Sequence, residues 1–199
     1  MDALIHEQQN RTFHQTESGA DLHILFVCTG NICRSPTGER LAAARGAELQ
    51  IPDFATSSAG TRALIGHPMH ADAARVLEEL GGDASGFVAR HLTAPVANDA
   101  DLVLTMTAAH RNDVLELAPR QFRKTFTLSE AALLAAEYEP PTVTDLAALR
   151  PHLAGRAAAD IADPIGQDRQ YFAAVGARIA ELLTPILELC RRSSDSPSD

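Results

Sequence analysis

The chain has 199 residues, which is enough for one domain with a full hydrophobic core and short for two domains. Its formal net charge is -9, and an acidic surface argues against non-specific binding to nucleic acid or to anionic membranes. Three cysteines are too few for a disulfide framework, and no apolar run approaches the roughly 18 residues of a membrane span. We therefore expect a cytoplasmic protein with no nucleic-acid partner and no membrane insertion.

The sequence predicts one folded domain, residues 21–190, between two polar ends. Residues 1–20 are polar and aperiodic, and they lack the basic start and apolar run of a signal peptide, so they predict a flexible N-terminal tail. Residues 191–199 predict a polar C-terminal tail.

Strand and helix patterns alternate along this domain. The first strand is the apolar run 23–27, and the first helix runs from Pro36 to about Leu49 with Ser35 as its N-cap. The later elements are a strand in "FATSSAG" that ends near Ser57, a helix in "ADAARVLEELGG", a strand in "DLVLTM", a helix in "AAHRNDVLELAP", a weaker strand in "KTFTL", a helix in "SEAALLAAE" and a helix from Asp168 to about Cys190. This order predicts an α/β fold in which a twisted sheet of four parallel strands carries helices on both faces.

The stretch "VCTGNICRSPTGE", residues 27–39, joins the first strand to the first helix. Ligands of parallel sheets bind at the carboxyl ends of the strands, where this stretch lies. Gly30 allows unusual backbone angles, and the amides after Cys28 can form an anion-binding nest at a helix N-terminus. Arg34 adds a fork of donors for phosphate or arsenate oxygens. Such a field favours a Cys28 thiolate, which would be a nucleophile aimed at the bound oxyanion.

Residues 27–36, apart from Thr29, fit a longer pattern, V-C-x-G-N-I-C-R-S-P. The stretch resembles the signature loop of the low-molecular-weight protein-tyrosine phosphatases and most resembles their bacterial members. The resemblance implies a four-stranded parallel α/β fold that hydrolyses phosphate monoesters, chiefly phosphotyrosine, without a metal or another cofactor. It implies Cys28 as the catalytic cysteine, Arg34 as the phosphate-binding arginine and Asp163, in "ADPIGQD", as the general acid.

The same resemblance implies a set of phosphate-binding loop residues around the cysteine. Asn31 would brace the loop, with Ser58 as its partner, and Ser35 would hydrogen-bond the thiolate. The implied substrate-binding residues are Thr29, Gly30, Asn31, Ile32, Cys33 and Ser35.

The expected chemistry has two steps. Cys28 attacks phosphorus while Asp163 protonates the leaving oxygen, which forms a phosphocysteine. Asp163 then acts as a base on water and releases phosphate, while the loop amides and Arg34 stabilise the equatorial oxygens.

Two features depart from the family pattern. Ile165 and Gly166 stand where aromatic residues commonly follow the Asp-Pro pair, and Leu64 stands at another wall, so the slot for the substrate ring is expected to be aliphatic. In this the chain is similar to bacterial members tied to tyrosine kinases of polysaccharide export, which implies a phosphotyrosine protein as substrate and a bacterial tyrosine kinase as a possible partner. Residues 137–162 form a longer link than usual, with an extra helix predicted at 144–154 beside the site.

Alternatives remain open at this stage. An arsenate reductase on the same fold would need further cysteines, and the sequence has none between Cys33 and Cys190. A non-catalytic phosphate-binding module is the other alternative.

Cys33 is either a packing residue or a redox partner of Cys28, and Cys190 is interpreted as a packing residue. His67 and His70 are interpreted as loop and helix-cap residues, because no spacing resembles a structural zinc site. The sequence leaves the oligomeric state open.

Overall fold

The structure is a computed structural model that describes residues 22–156 and 158–195. The predicted N-terminal tail at 1–20 lies outside the described residues, and so do residues 196–199 of the predicted C-terminal tail.

A sheet of four parallel strands forms the centre of the molecule. The strands are β1 (Leu22–Cys28), β2 (Phe54–Gly60), β3 (Leu102–Thr105) and β4 (Thr125–Thr127). Their spatial order is β2-β1-β3-β4, and every neighbouring pair is parallel. The predicted fold class is confirmed. The second strand continues past Ser57 to Gly60, because β2 stays in register with β1 as far as the pair Cys28 and Gly60.

Helices cover the sheet. They are α1 (Arg34–Glu48), α2 (Ala71–Glu79), α3 (Ala94–Asn98), α4 (Ala108–Leu117), α5 (Leu128–Tyr138), α6 (Leu146–Leu149) and α7 (Arg169–Asp195). Short 3-10 helices occupy Pro119–Arg123, Val143–Asp145 and Arg150–Leu153. The sequence did not predict α3, and α7 continues beyond its predicted end at Cys190. Within the described residues, no helix combines the length and the apolar character needed to cross a membrane.

The alternation of β1 divides the core into two layers. Ile24 and Phe26 face a large cluster that includes Leu41 of α1. Leu25 and Val27 face a smaller cluster on the opposite side of the sheet. Because every one of these residues is buried, β1 is a central strand, and the loop that follows it starts from a rigid position.

The long link before the predicted acid folds as three consecutive short helical segments between Val143 and Leu153. Arg150 lies over the rings of Phe122 and Phe126, 4.7 and 4.0 Å from their centroids. Its Nη2 donates to the carbonyls of Phe122 and Thr125, both at 2.8 Å. The prediction of helix here is confirmed in outline, but its predicted place beside the site is wrong. Arg150 is held at the start of β4, whereas the loop after Cys28 lies at the carboxyl end of the sheet.

Candidate active site

The loop between β1 and α1, residues 28–34, turns its carbonyl groups outward; we call it the oxyanion loop. Successive loop carbonyls accept hydrogen bonds from the segment that links β2 to α2. These bonds are Thr61 N to Cys28 O at 2.9 Å, Arg62 N to Thr29 O at 2.9 Å, Leu64 N to Gly30 O at 3.0 Å and His70 N to Ile32 O at 2.8 Å. In a trans peptide the N–H points away from the C=O. The amides of the next residues therefore face the opposite side and form a nest for an anion.

Asn31, and not Gly30, supplies the unusual backbone angle of the oxyanion loop. Asn31 has a φ of 55°, while the φ of Gly30 lies outside the left-handed region, which corrects the expectation placed on the glycine. The glycine that the loop does require is Gly60 at the end of β2. A Cβ at Gly60 would lie 2.5 Å from the carbonyl oxygen of Thr29, so only glycine lets the two segments approach.

The buried Asn31 side chain locks this conformation. Its Nδ2 donates to Ser35 Oγ at 2.9 Å and to Ser58 Oγ at 2.7 Å. Its Oδ1 accepts from Arg90 N at 2.8 Å. Together these bonds use the whole amide group and offset the strain of the left-handed backbone. Asn31 and Ser58 are thus in contact, as the resemblance implied.

Ser35 contacts the Cys28 sulfur, as the resemblance implied, but the prediction that it caps α1 is wrong. Helix α1 begins at Arg34, its N-cap position is Cys33, and no side chain caps it. Ser35 Oγ lies 2.9 Å from Cys28 Sγ. Because Asn31 donates to the same oxygen, the Ser35 hydroxyl hydrogen is free to be donated to the sulfur. The Cys28 sulfur therefore lies next to a hydroxyl group, at the start of the amide nest.

The hydrogen-bonded chain behind the loop ends at a carboxyl group that the sequence analysis missed. Ser58 Oγ donates to Glu39 Oε2 at 2.5 Å. Burial raises the pKa of Glu39 above its usual range, while the bond from Ser58 works in the opposite direction. Arg90, also missed, donates through Nε to Ser58 O at 2.8 Å. No local pattern marks either residue, because each contacts the loop through Ser58 or Asn31 and not through its neighbours in sequence.

Arg34 and Asp163 form an ion pair at the opening of the oxyanion loop. Arg34 Nη2 donates to Asp163 Oδ2 at 2.5 Å, and Arg34 Nη1 donates to Ile161 O at 3.0 Å. The arginine side chain is 5% exposed, whereas the aspartate is 48% exposed. A fixed guanidinium and an accessible carboxyl group therefore meet next to Cys28.

The acid segment, residues 159–163, is fastened to the rest of the site by three bonds. Ile161 N donates to Met106 O at 2.8 Å, Ala108 N donates to Asp160 Oδ1 at 2.8 Å, and Ser129 Oγ donates to Ala159 O at 2.7 Å. The partners lie at the end of β3 and the starts of α4 and α5. This places Asp163 at the oxyanion loop although it is distant in sequence. Asp160 was not singled out from the sequence.

The cavity above Cys28, which we call the mouth, has a volume of about 270 Å³. Its lining residues come from the oxyanion loop, the segment after β2 and the acid segment: Cys28, Thr29, Gly30, Ile32, Cys33, Arg34, Arg62, Leu64, Asp163 and Ile165. Leu64 and Ile165 are about half exposed, so the mouth has aliphatic walls as predicted. Of the predicted site residues, Asn31 and Ser35 do not line the mouth, because they are fully buried behind the loop.

Comparison with known proteins agrees with this geometry. Residues 23–136 match the family described as low molecular weight phosphotyrosine protein phosphatase. The chain belongs to this family. It is 42% identical over 107 residues to the low molecular weight protein-tyrosine-phosphatase Etp of Escherichia coli strain K12, a match that covers 54% of this chain and 69% of Etp. The enzyme is thus a cysteine-dependent protein-tyrosine phosphatase, and the resemblance seen in the sequence is confirmed.

Solved structures extend the likeness beyond the matched residues. The crystal structure of the tyrosine phosphatase AmsI of Erwinia amylovora has a TM-score of 0.65 at 29% identity, covering 87% of this chain and 95% of that one. The YwlE arginine phosphatase from Geobacillus stearothermophilus has a TM-score of 0.66 at 29% identity, covering 84% and 91%. Asp163 lies outside residues 23–136 of the phosphatase, so its assignment depends on the contact with Arg34.

The second loop cysteine of the phosphatase has a different environment from the first. Cys33 is 4% exposed and packs in the large core cluster. Burial, and next the charge on Cys28, raise its pKa to about 12. Cys190 is also buried, with its pKa raised to about 12 by burial. All three cysteines are free thiols.

Histidines have two roles around the site. His70 Nδ1 accepts from Asp72 N at 3.3 Å and so caps α2, which confirms the cap prediction. His110, on the first turn of α4, lies 2.8 Å from Thr29 Oγ1 through Nε2 and was missed in the sequence. The position of α4, directly after the central strand β3, was the sequence signal for His110, since loops at the carboxyl ends of strands face the site.

Across residues 22–156 and 158–195 no group of His, Cys, Asp and Glu side chains could hold a metal ion.

Proposed function

We propose that this phosphatase removes phosphate from phosphotyrosine in proteins, with Cys28 as nucleophile, Arg34 as the phosphate-binding residue and Asp163 as general acid and base. One observation carries the proposal. The side chains of Arg34 and Asp163 meet at 2.5 Å in the mouth above a cysteine that ends a buried strand. A bound phosphoryl group there touches a nucleophile, a cation and a proton donor at once.

Substrate binding would use the oxyanion loop as a whole. The loop amides from Thr29 to Cys33 and the guanidinium of Arg34 supply donors to the equatorial oxygens, and Ile32 and Cys33 hold the loop in the core. These donors are fixed before the substrate arrives, since the loop carbonyls and the Asn31 side chain are already bonded. Preorganised donors of this kind stabilise the charge that develops in the transition state.

In the first chemical step, Cys28 Sγ forms a bond to phosphorus while the bond to the leaving oxygen breaks. Asp163 transfers its proton to that oxygen, which would otherwise leave as a phenoxide. The Ser35 hydroxyl stabilises the thiolate before the attack. The products are a phosphocysteine and a neutral phenol.

In the second step, the Asp163 carboxylate takes a proton from water, and the water oxygen displaces the sulfur. Phosphate leaves, and the Cys28 thiolate and the Asp163 acid are restored. Asp163 is suited to both steps because it is half exposed while its partner Arg34 is buried.

The walls of the mouth favour an aryl group as the part of the substrate that carries the phosphate. Ile32, Leu64 and Ile165 line it, and apolar side chains pack against a phenyl ring better than against a charged chain. Arg62 at the rim adds positive charge, which is unfavourable for a second cation. A phosphotyrosine protein fits these walls. We further propose that a bacterial tyrosine kinase is among its substrates and that the enzyme acts in the cytoplasm, where its three thiols stay reduced.

The arsenate reductase alternative has less support. A reductase must pass oxidation to further thiols, and Cys190, the only cysteine downstream of Cys33, is fully buried in α7.

The test compares four substrates with the purified enzyme: p-nitrophenyl phosphate, phosphotyrosine peptides, phosphoarginine, and arsenate with a thiol reductant. We expect turnover of the two aryl phosphates and little or none of the others. The Cys28→Ser variant is the control and should lose turnover while it still binds inorganic phosphate. Faster hydrolysis of phosphoarginine than of phosphotyrosine, or reduction of arsenate, would contradict the proposed substrate class.

A further inference from the structure

The Thr29 side chain is a polar group in the mouth that the mechanism above leaves unused. Thr29 follows the nucleophile directly, and its carbonyl is held by Arg62 N. Its hydroxyl oxygen lies 2.8 Å from His110 Nε2, and no other partner of this hydroxyl is found in the described part of the chain. Thr29 therefore lines the mouth, and one bonding direction of its hydroxyl is fixed by His110.

His110 is a buried ring with one unsatisfied nitrogen. The residue is 6% exposed, and its Nδ1 is buried without a hydrogen-bond partner among the described residues. An unpaired buried N–H costs more than an unpaired lone pair, because buried donors are almost always satisfied. The hydrogen of the neutral ring is therefore placed on Nε2, which faces Thr29.

The surroundings of His110 keep the ring neutral. Burial is the largest cause that lowers its pKa, and the positive charge of Arg34 adds to it. The carboxylates of Asp113, Asp160 and Asp163 act in the opposite direction. A neutral ring with its hydrogen on Nε2 can only donate to Thr29 Oγ1.

We propose that the Thr29 hydroxyl is a further hydrogen-bond donor to the bound phosphoryl group, and that His110 is the positioning residue that directs it. When the Nε2–H of His110 donates to a lone pair of Thr29 Oγ1, the hydroxyl hydrogen of Thr29 has to point away from His110. An oxygen of a phosphoryl group bound in the nest would be an unpaired acceptor for it. An O–H to anionic oxygen bond is short and strong, and its strength grows as charge develops. This inference depends on the proposed function, because it requires a phosphoryl group above Cys28.

Variants at both positions test the proposal. Thr29→Val removes the hydroxyl at nearly constant shape and should lower kcat/KM for p-nitrophenyl phosphate by roughly a hundredfold, the lower end of the range for one lost oxyanion donor. It should also weaken inhibition by inorganic phosphate. Thr29→Ser should keep most activity. His110→Phe removes the ring donor and should lower kcat, whereas His110→Gln restores an N–H donor and should recover part of the loss.

Two controls separate this role from a structural one. The double variant of Thr29→Val and His110→Phe should be no slower than Thr29→Val alone, because both changes remove the same bond. His23→Phe removes another histidine that contacts a hydroxyl, Ser57 Oγ at 2.7 Å, but at the opposite end of β1, so it should leave kcat/KM unchanged.

A measurement on the wild-type enzyme needs no variant to fold. Nitrogen-15 NMR of the histidine rings should find His110 protonated on Nε2, and its signals should shift when inorganic phosphate is added. Thr29→Val activity within twofold of wild type, additive losses in the double variant, or a ring protonated on Nδ1 would overturn the proposal. If Cys28→Ser kept its turnover, the proposed function itself would fail. Loss of turnover in Cys28→Ser with full activity in Thr29→Val would refute this inference alone.

Discussion

Cys28 and Cys33 belong to the same loop, but their surroundings give them different chemistry. Cys28 contacts the Ser35 hydroxyl and lies at the start of the amide nest. Cys33 is buried among apolar side chains, and its pKa of about 12 keeps it a neutral thiol. Because Cys33 is held as a neutral thiol, we expect peroxide to attack the Cys28 sulfur first.

We predict that Cys33 protects Cys28 from irreversible oxidation. Peroxide converts the Cys28 thiolate to a sulfenic acid, and the Cys33 thiol then condenses with it to form a disulfide and water. The wild type should lose activity in peroxide and regain it in dithiothreitol. The Cys33→Ser variant should lose its activity in peroxide and not regain it. Cys190→Ser, a change at a buried cysteine of α7, should behave like the wild type. Peptide mapping that finds Cys28 as sulfinic acid with Cys33 still free in the wild type would contradict this role.

The protonation role of Asp163 predicts a dependence on the leaving group. Asp163→Asn removes the proton donor but keeps an acceptor for Arg34, so it should slow substrates with poorly acidic phenols by roughly 10²–10⁴-fold. Substrates whose phenols are strongly acidic need little protonation and should be affected much less. Steady-state rates across a series of aryl phosphates measure this slope. An equal loss for every leaving group would indicate that Asp163 only holds Arg34 in place.

The strands and loop residues that local sequence patterns determine were predicted correctly. β1 and β3 are continuous apolar runs and were found, and Cys28 and Arg34 were placed in the loop by motif. Ser35 was misread as a helix cap, because its hydroxyl serves the Cys28 sulfur and that contact is not local. The short helix α3 has too few residues to show a period.

Contacts between segments that are distant in sequence account for the site residues that were missed. Glu39, Arg90, His110 and Asp160 each reach the site from another element. No spacing along the chain encodes such contacts. Asp163 was predicted as the general acid only because a proline follows it in a known pattern, and not from any property of the segment that carries it.

The link before the acid segment should contribute to stability and not to catalysis. Arg150 contacts two aromatic rings and two carbonyls at the start of β4. Arg150→Ala should lower the free energy of unfolding by about 1–3 kcal/mol in urea, with kcat/KM unchanged. Arg178→Ala is a matched control, since its ion pair with Glu181 is exposed and should be worth under about 1 kcal/mol. A fall in kcat/KM at unchanged stability would place the link at the site after all.

For the whole molecule, the parallel sheet explains why distant residues meet. Every strand presents its carboxyl end at the same edge, so the loop after β1, the end of β2 and the exit from β3 converge there. The polar network around Asn31 is therefore assembled only when β2 pairs with β1. Burying the polar groups of that network costs free energy of folding, and Glu39 lies at the outer end of the network.

Glu39 should make the stability of the whole molecule depend on pH. Its pKa in the folded enzyme is raised above the ordinary 4.5, chiefly by burial. The contribution of such a group to stability is fully present below pH 4.5 and is lost as the pH rises through the raised pKa. Glu39→Gln has no proton to lose, so its stability relative to wild type should improve as the pH rises above 4.5. Urea unfolding at several pH values measures this difference, and a constant difference across the range would show that Glu39 does not titrate there.

If the phosphoryl group passes through Cys28, a phosphorylated form of this cysteine can be trapped. Asp163→Asn should slow the second step, since water then lacks its base, so a phosphocysteine should accumulate with p-nitrophenyl phosphate. Mass spectrometry after rapid quenching should find one phosphoryl group on the peptide that contains Cys28. The Cys33→Ser variant should still carry the phosphoryl group on the Cys28 peptide, and Cys28→Ser should show no turnover. Hydrolysis without any phosphorylated Cys28 peptide, or Cys28→Ser turnover within tenfold of wild type, would contradict the account.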